Sequence, residues 1–585
     1  MHVSLSLLIV KQRYFEFGDK PQRLLVRQLR GFQANRAIHQ IKSPSGVLIT
    51  DPIAINDCFR EYYEKLYQTK AKGDVKTWLK NFKLPKLDEA AQRALDSELT
   101  SEEIIDSIKS FPSTKNYKIT PLLLRMFIHS TKLGTLPKTL YAAHISLLLK
   151  PGRDKTDLSS YRPIALLNTD LKILSTVLAN RLKQYITSII HPDQTGFIPN
   201  RFSFFNVRRL MDIIYHKYHG VSAQGVLSLD AEKAFDQVEW GYIIATLKEF
   251  GFGHAFISWV QMLFEQSPYF SLYRGTCQGC PLSPLLFSIA IEPLAISIRE
   301  DENIKPIILG GVEHKLPLYA DDIILLSEPE QSIPHLLKLI GLFSEKSGYT
   351  INWQKSEFMA LSANHNPRFL RSLPFKISTV KIKYLGIEVT KNPNVLFKHN
   401  FAEKMNRLKQ DIDRGRILPL SLIGWVNAIK MVSLPRFFYP FQNIPIFIPK
   451  SFFESLDSIM PFIWGFKTHR ISKIHKPRSL GGLGLPCFLH YYWVANARAL
   501  AYWQYGYKEG ISLDLPPWLA VEKDLIVDSS LLALFSSPRA PSALKKLGKL
   551  AIFQNLSYLP QFGTIIHSHP LYLIVHFVTG LKKAL

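Results

Sequence analysis

The sequence predicts an α+β protein, and three features of the residue pattern support this. Residues 225–229 (GVLSL) form a short apolar run typical of a buried strand, and Asp230 follows it directly. Apolar runs at 316–319 and 323–326 flank Ala-Asp-Asp, which predicts a β-hairpin with acids at its tip. Residues 169–190 have the apolar spacing of a long amphipathic helix. Long helices and a sheet ending in carboxylates therefore belong to one chain.

Length and composition exclude several classes of protein. At 585 residues the chain is too long for a single compact core, so we expect about three or four packed units. Its 46% hydrophobic and 20% charged residues argue against wholesale disorder. The four cysteines are too few and too scattered for a disulfide scaffold, which fits a reducing compartment.

The charge balance predicts the kind of partner. Seventy-two Lys and Arg against 47 Asp and Glu give a formal charge of +25, which favours nucleic acid over simple solubility charge. We expect no membrane partner, because no apolar run approaches the roughly 18 residues of a bilayer span. Residues 1–10 lack the basic start and the cleavage site of a signal peptide. We therefore expect an intracellular protein, nuclear and/or cytoplasmic, that is not secreted.

The first part of the chain predicts helices and one strand pair. Arg23, Arg27 and Arg30 recur at helical spacing, either as a phosphate-tracking face or as an ordinary solvated face. Residues 56–70 continue as a helix, and Ser101 can cap the next one. An apolar strand at 145–149, a Pro/Gly turn and the run YRPIALLN at 161–168 then place Lys150 and Arg162 at strand ends.

The acids Asp230, Asp321 and Asp322 are the candidate metal ligands. Asp-Asp alone is common in solvated turns, but apolar strands on both sides place these acids at the edge of a core, where neighbouring carboxylates repel unless cations neutralise them. Three aspartates can hold two Mg²⁺ ions, with Mn²⁺ as the alternative. Phe235 is either the floor of a sugar pocket or a core residue.

The run RGTCQGCPLSP at 274–284 lies between these acids. Gln278 and Gly279 offer an amide and a bare backbone for close approach to a nucleotide, although an ordinary loop before a helix fits the same pattern. Cys277 and Cys280 form a C-x-x-C pair, but no second pair or suitably spaced His pair completes a zinc site.

Taken in order, LDAEKAFD, GTCQGCPLSPLLF and YADD resemble the palm motifs of reverse transcriptases. The segments YRPIALLN, ILSTVLANRLK, HPDQTGFIPNR, INWQKSE and KYLGIEV further resemble the non-LTR (LINE-type) retrotransposon branch. The resemblance covers residues 11–503. It implies a right-hand polymerase fold with fingers, a palm built on an antiparallel sheet, and a helical thumb.

The resemblance also implies roles and domain limits. Asp230, Asp321 and Asp322 would hold the metal ions, and Lys355 would protonate the departing pyrophosphate. The nucleotide, its sugar and the primer would be contacted by the remaining matched residues, which are Lys150, Arg162, Phe235, Gln278, Gly279, Tyr384, Leu385 and Gly386. The implied domains are a basic helical N-terminal extension, fingers, palm, thumb and a C-terminal helical connection, at residues 1–100, 101–224, 225–390, 391–465 and 466–585.

The chain departs from the family pattern in five ways. Cys277 replaces the usual cation before Gln-Gly, and the stretches 111–121 and 265–273 are shorter than in relatives. We expect neither the N-terminal endonuclease nor the C-terminal Cys/His segment that relatives carry. The shortened stretches suggest a decayed copy or an imperfect gene model.

The resulting hypothesis is an RNA-directed DNA polymerase, a nucleotidyltransferase that adds dNTPs to a primer 3′-end on an RNA template. Its expected partners are template RNA, a DNA primer, the RNA–DNA hybrid and dNTPs. One alternative is a remnant that only binds RNA or hybrid. A second is an RNA-templated RNA polymerase or a maturase-like protein, which would differ at the sugar gate formed by Phe235.

Overall fold

A computed structural model describes most of the chain between residues 38 and 524. The described residues are 38–43, 45–69, 71, 73–111, 117–141, 144–150, 152–215, 223–264, 272–276, 279–309, 311–320, 322–362, 365–415, 421–446, 448–460, 474–505 and 516–524. The basic helix predicted around Arg23, the residues Gln278 and Asp321, and most of the predicted C-terminal connection lie outside them.

Twenty α-helices and thirteen strands occur among the described residues. The helices are α1 Pro52–Tyr67, α2 Val75–Leu79, α3 Glu89–Asp96, α4 Ser101–Ser110, α5 Thr120–Leu133, α6 Lys138–Tyr141, α7 Thr169–Ile189, α8 Ser203–Tyr215, α9 Ala234–Gln237, α10 Trp240–Glu249, α11 His254–Phe264, α12 Ser283–Glu300, α13 Pro329–Ser347, α14 Pro367–Ser372, α15 Glu403–Gly415, α16 Leu422–Ala428, α17 Leu434–Asn443, α18 Lys450–Ile459, α19 Phe488–Tyr505 and α20 Pro517–Asp524. The strands are β1 Ile41–Lys42, β2 Leu48–Ile49, β3 His144–Leu149, β4 Tyr161–Leu166, β5 Gly225–Leu229, β6 Ile307–Leu309, β7 Val312–His314, β8 Leu318–Tyr319, β9 Asp322–Ser327, β10 Glu357–Ala360, β11 Lys376–Ser378, β12 Lys381–Tyr384 and β13 Ile387–Thr390.

The five-stranded sheet is the element that carries the predicted acids. Its order is β11-β10-β5-β9-β8, so the GVLSL strand lies at its centre. Strand β5 pairs antiparallel with β9 on one side and with β10 on the other, whereas β11 runs parallel to β10. Strands β8 and β9 form a hairpin in which Tyr319 pairs with Asp322. The hairpin expected around Ala-Asp-Asp is therefore present.

The strand pair expected near Lys150 is also present. Strands β3 and β4 pair antiparallel over their full lengths, with Leu148 opposite Arg162. The long helix α7 follows, and Leu174, Leu178 and Leu182 on its apolar side are fully buried. Both elements formed where the local pattern predicted them, because strand and helix periodicities bury different sets of side chains.

Two helix starts differ from expectation. Thr100, rather than Ser101, caps α4, and Glu103 accepts a hydrogen bond from the Thr100 backbone N–H in return. A Thr three residues before a Glu can satisfy two of the N–H groups left open at a helix start, which Ser101 cannot do at this spacing. Helix α1 begins at Pro52, capped by Asp51, and ends at Tyr67 rather than near residue 70.

Among the described residues, buried apolar side chains form two large cores and one small one. The first joins helices from α2 onward to the five-stranded sheet, so residues on both sides of the predicted limit at residue 100 share it. The second packs the apolar side of the α15 region against α17 and α18, with Phe401, Met405, Leu408 and Ile412 buried. The small core joins α1 to the β3–β4 hairpin. No described helix combines the length and apolarity needed to span a bilayer.

Helix α1 packs directly against the loop that follows Asp230. The Tyr67 hydroxyl donates to Asp236 Oδ1 at 3.1 Å, and Arg274 Nε donates to the Leu66 carbonyl at 2.6 Å. Burial raises the pKa of Asp236 to about 6, against the opposing effects of the Tyr67 hydrogen bond and the charge of Lys233. A segment predicted as an extension is thus part of the wall beside the acids.

We predict that Asp236→Asn stabilises the protein in a pH-dependent manner. The carboxyl pKa is higher in the folded protein than the ordinary 3.8, so its protonated form contributes stability that is lost as pH rises through about 6. Asparagine keeps an acceptor for Tyr67 and never ionises. The variant's gain in unfolding free energy should therefore grow by about 1 kcal/mol between pH 5 and pH 7.5.

Urea unfolding at the two pH values measures this difference. Glu232→Gln, at an exposed carboxyl on the same loop, is the matched control and should show no such growth. An Asp236→Asn effect that is equal at both pH values would contradict the prediction.

Candidate active site

Asp230 lies at the end of the central strand and is held on both sides of its backbone. Its N–H donates to Ser356 Oγ at 3.2 Å, and its carbonyl accepts from the Asn352 N–H at 2.7 Å. Ala231 also forms an isolated bridge to Ile351. The INWQKSE segment therefore fixes the backbone of Asp230, while its side chain stays 40% exposed.

The β5–β9 register places a second predicted acid beside Asp230. Leu229 pairs with Ile323, so the next position in the same register puts Asp230 opposite Asp322. Ala320 turns the hairpin with a φ of +53°, in the left-handed region. The backbones of two of the three predicted acids thus lie at the same edge of the sheet. Asp321 lies outside the described residues.

Lys355 contacts the same carboxylate. Its Nζ lies 3.2 Å from Asp230 Oδ2, with the two side chains 54% and 40% exposed. An ion pair this exposed contributes little to stability. The ion pair instead determines where Lys355 lies, because it places the proton-bearing Nζ against Asp230, the first predicted metal ligand.

The cations predicted near the Pro/Gly turn face this region. Lys150 Nζ donates to the Ser159 carbonyl at 3.0 Å, and Arg162 follows on the paired strand. The pKa of Lys150 lies below its ordinary value because of burial and then the positive charges of Lys233, Arg162 and Lys355. Lys150, on the β3–β4 hairpin, therefore lies near enough to Lys233 and Lys355 for their charges to act on it.

Phe235 and Gly279 line neighbouring parts of this region. The half-buried ring of Phe235 stacks on Phe287, with ring centroids 4.5 Å apart. Gly279 has a φ of +110°, and a Cβ there would lie 2.9 Å from the Ala165 carbonyl oxygen. Only glycine fits this approach to strand β4. Gln278, the other predicted residue of this loop, lies outside the described residues.

Tyr384, Leu385 and Gly386 lie on a separate two-stranded sheet. Positive φ values of 46° and 75° at Leu385 and Gly386 make a tight two-residue turn between β12 and β13. The Asn206 amide donates both to the Tyr384 hydroxyl at 3.3 Å and to the Leu318 carbonyl at 2.6 Å. The turn between β12 and β13 is therefore linked to the β8–β9 hairpin indirectly, through Asn206.

Among the residues whose side chains are described, no group of three His, Cys, Asp or Glu is close enough to hold a metal ion. The side chains of Asp321 and Asp322 are not among them.

Three residues near the site carried no sequence prediction. They are Lys233, Tyr62 and Gln194. Lys233 has a φ of +50°, and its Nζ lies 4.7 Å from the centroid of the Tyr62 ring. Gln194 is completely buried beside the hairpin turn. Each contact joins positions more than a hundred residues apart, so no local pattern in one sequence could have indicated it. The segment HPDQTGF was visible only as a resemblance to relatives.

Comparisons with known proteins indicate what the chain is similar to. The sequence model of the family described as reverse transcriptase (RNA-dependent DNA polymerase) matches residues 150–389, a range that contains every predicted site residue. The transposon TX1 uncharacterized 149 kDa protein of Xenopus laevis is 28% identical over 376 residues, which cover 58% of this chain and 28% of that protein.

Two further relatives come from Drosophila. The Pol polyprotein of the retrotransposable element R2DM of Drosophila melanogaster is 24% identical, over 62% of this chain and 35% of that protein. The RNA-directed DNA polymerase from the mobile element jockey of Drosophila funebris is also 24% identical, over 55% and 37%. The chain therefore spans about a third of the length of these relatives.

A telomerase from Candida albicans, solved in complex with a fragment of telomeric RNA, aligns with 76% of the chain at a TM-score of 0.34 and 11% identity. A similarity at that level carries no weight for the fold. The sequence comparisons are more specific: residues 150–389 match the reverse transcriptase family, and the chain is similar to proteins of the transposon TX1 and of the retrotransposable elements R2DM and jockey.

Proposed function

We propose that the chain is an RNA-directed DNA polymerase that extends a DNA primer on an RNA template. The observation that supports the proposal is the strand register that pairs Leu229 with Ile323, the residues directly before Asp230 and directly after Asp322. Strand-end carboxylates facing a cationic space are what transfer of a nucleotide from a triphosphate requires. In this proposal template RNA, DNA primer, their hybrid and dNTPs are the partners, met in the nucleus or cytoplasm.

The residues present fit divalent cations. Carboxylate oxygens are the ligands that Mg²⁺ prefers, and the Asp230 side chain at the end of the central strand is 40% exposed. Asp230, Asp321 and Asp322 would hold two Mg²⁺ ions, or Mn²⁺. The ions would supply the charge that activates the primer 3′-hydroxyl and stabilises the leaving pyrophosphate.

The chain's own side chains would orient the triphosphate. Lys150 and Arg162 lie on the β3–β4 hairpin, and the electrostatic coupling of Lys150 to Lys355 supports a shared anion-binding space. Arg162 can donate two parallel hydrogen bonds to a phosphate, whereas a lysine acts as a point charge. Lys355, already at 3.2 Å from Asp230, would hold the proton passed to pyrophosphate.

The architecture supports an assignment of parts. We assign the β3–β4 hairpin with Lys150 and Arg162 to the fingers, the five-stranded sheet to the palm, and the helices around α15 to the thumb. The buried apolar side of α15 leaves Lys409 and Arg407 for contact with a duplex backbone. Gln278 and Gly279 would border the nucleotide, and Tyr384, Leu385 and Gly386 the primer.

We predict that Asp230→Asn abolishes primer extension. Removing one carboxylate should lower the extension rate on poly(rA)/oligo(dT) with Mg²⁺ and dTTP by on the order of 10³-fold, because the opposite acid then lacks its partner in cation binding. Hybrid affinity, measured by fluorescence anisotropy, should stay within about twofold.

Glu232→Gln removes the same charge from the same loop and should extend the primer at the wild-type rate. Hybrid binding without extension in the wild-type protein would instead favour the binding remnant. Extension that survives in Asp230→Asn would contradict the assignment of the acid.

We also predict that Phe235→Ala admits ribonucleotides. The ring is fixed by stacking on Phe287, so its loss opens the space where a 2′-hydroxyl would lie. The ratio of rUTP to dTTP incorporation should rise about tenfold or more, and Phe235→Tyr, which keeps the ring, should stay near wild type. An unchanged ratio in an active Phe235→Ala enzyme would show that the sugar is selected elsewhere.

A further inference from the structure

The loop at residues 191–202, between α7 and α8, runs along the outer edge of the acid hairpin. The Leu318 N–H donates to the Asp193 carbonyl, and the Thr195 N–H donates to the Leu318 carbonyl, both at 2.9 Å. Gln194 forms a parallel bridge with Leu318 at the same place. The loop therefore extends the sheet beyond β8 and covers the strand that leads into the turn.

The Gln194 side chain reaches the turn itself. It is completely buried, and its Oε1 accepts from the Gly196 N–H and the Ala320 N–H, both at 2.9 Å. Ala320 is the residue with a φ of +53°, a conformation that costs about 1–2 kcal/mol for a residue with a Cβ. One amide oxygen thus ties the strained turn residue to the supporting loop.

Gly196 shows how closely the two segments approach. A Cβ at this glycine would lie 2.4 Å from the Ala320 nitrogen and 2.9 Å from the Tyr319 carbonyl carbon. Both contacts are to backbone, which cannot swing away as a side chain can. Any side chain larger than hydrogen would therefore push the hairpin out of its register beside β5.

The supporting loop is itself anchored. Asp193, next to Gln194, is buried and accepts a hydrogen bond from Arg209 Nη1 at 2.5 Å, with Arg299 Nη1 at 3.7 Å. The charges of Arg209, His191 and Arg299 hold the pKa of this carboxyl well below its usual range although burial opposes them. The acceptor on Gln194 is consequently fixed to helices α8 and α12 and does not move with the hairpin.

We propose that Gln194 is a positioning residue: by holding the Ala320 N–H it fixes the β8–β9 hairpin beside Asp230, where the acids that follow Ala320 would bind a divalent cation together with Asp230. The expected effect on the extension rate rests on the proposed function. The expected effect on cation affinity does not, and it is measured separately. Residues that orient metal ligands without touching the metal commonly change affinity or activity by 10- to 100-fold when replaced. No contact between Gln194 and substrate is involved.

Gln194→Met tests the proposal, since it keeps the length of the side chain and removes the acceptor. The Gln194 Nε2 has no hydrogen-bond partner among the described residues, so the two bonds to Oε1 are the hydrogen bonds the substitution is expected to remove. We expect Mn²⁺ affinity, measured from the electron paramagnetic resonance signal of free Mn²⁺, to fall about tenfold. The extension rate should fall similarly, with an unchanged KM for dTTP.

The matched control is Asn400→Leu. Asn400 is also a buried amide that accepts a backbone N–H, from Glu388 at 3.0 Å, but it lies beside β13. It should lose comparable stability and keep Mn²⁺ affinity. Gln194→Glu, which retains an acceptor oxygen, should recover most of the affinity. If Gln194→Met does not fold, Gly196→Ala serves instead, with the same expected loss through steric displacement of the turn.

The outcomes separate this inference from the proposed function. A wild-type protein that binds Mn²⁺ through Asp230 but does not extend a primer would refute the polymerase, while a loss of affinity in Gln194→Met would still support the positioning role. Wild-type Mn²⁺ affinity in folded Gln194→Met or Gly196→Ala would overturn it. The positioning role would also be overturned if the wild-type protein had no Mn²⁺ site that the Asp230→Asn substitution abolishes.

Discussion

The antiparallel pairing of β5 with β9 is the constraint on which the rest of this structure depends. It pairs Leu229 with Ile323 and so puts the backbones of the next residues, Asp230 and Asp322, at the same end of two neighbouring strands. A shift of one residue would turn the acid-bearing face toward the other side of the sheet. The elements around this pair therefore act against slippage of the two strands. They do so through hydrogen bonds to backbone groups and to the side chains of Ser356, Gln194 and Asp236.

Three segments far apart in the sequence supply that support. The 350–356 loop holds the backbone of Asp230, the 191–202 loop holds the turn before Asp322, and helix α1 packs on the loop after Asp230. Each leaves the carboxylate edge open while burying the backbone behind it. Rigid support below an exposed charged edge is what catalysis by preorganised groups requires, because displacement by about 1 Å can cost a hundredfold in rate. Lys150 and Arg162 on the β3–β4 hairpin add positive charge near this region.

Local patterns were enough to predict the elements that carry the chemistry. The strand before Asp230, the hairpin at residues 320–322 and helix α7 have periodicities that only one secondary structure satisfies. Contacts at long range could not be predicted in this way. No sequence pattern around Gln194 indicates that its amide contacts Ala320, and none around Tyr67 indicates that it contacts Asp236. A buried glutamine and a buried aspartate are compatible with many partners. The cap at Thr100 was within reach of the sequence, because Glu103 follows at capping-box spacing.

The most direct test of this account is diffraction from crystals of the protein with an RNA–DNA hybrid, a dNTP and Mn²⁺. The account predicts two anomalous peaks about 3.5–4 Å apart, bound by Asp230 and the acids of the hairpin turn. A hybrid seated in the structure with no anomalous peak at these carboxylates would contradict it.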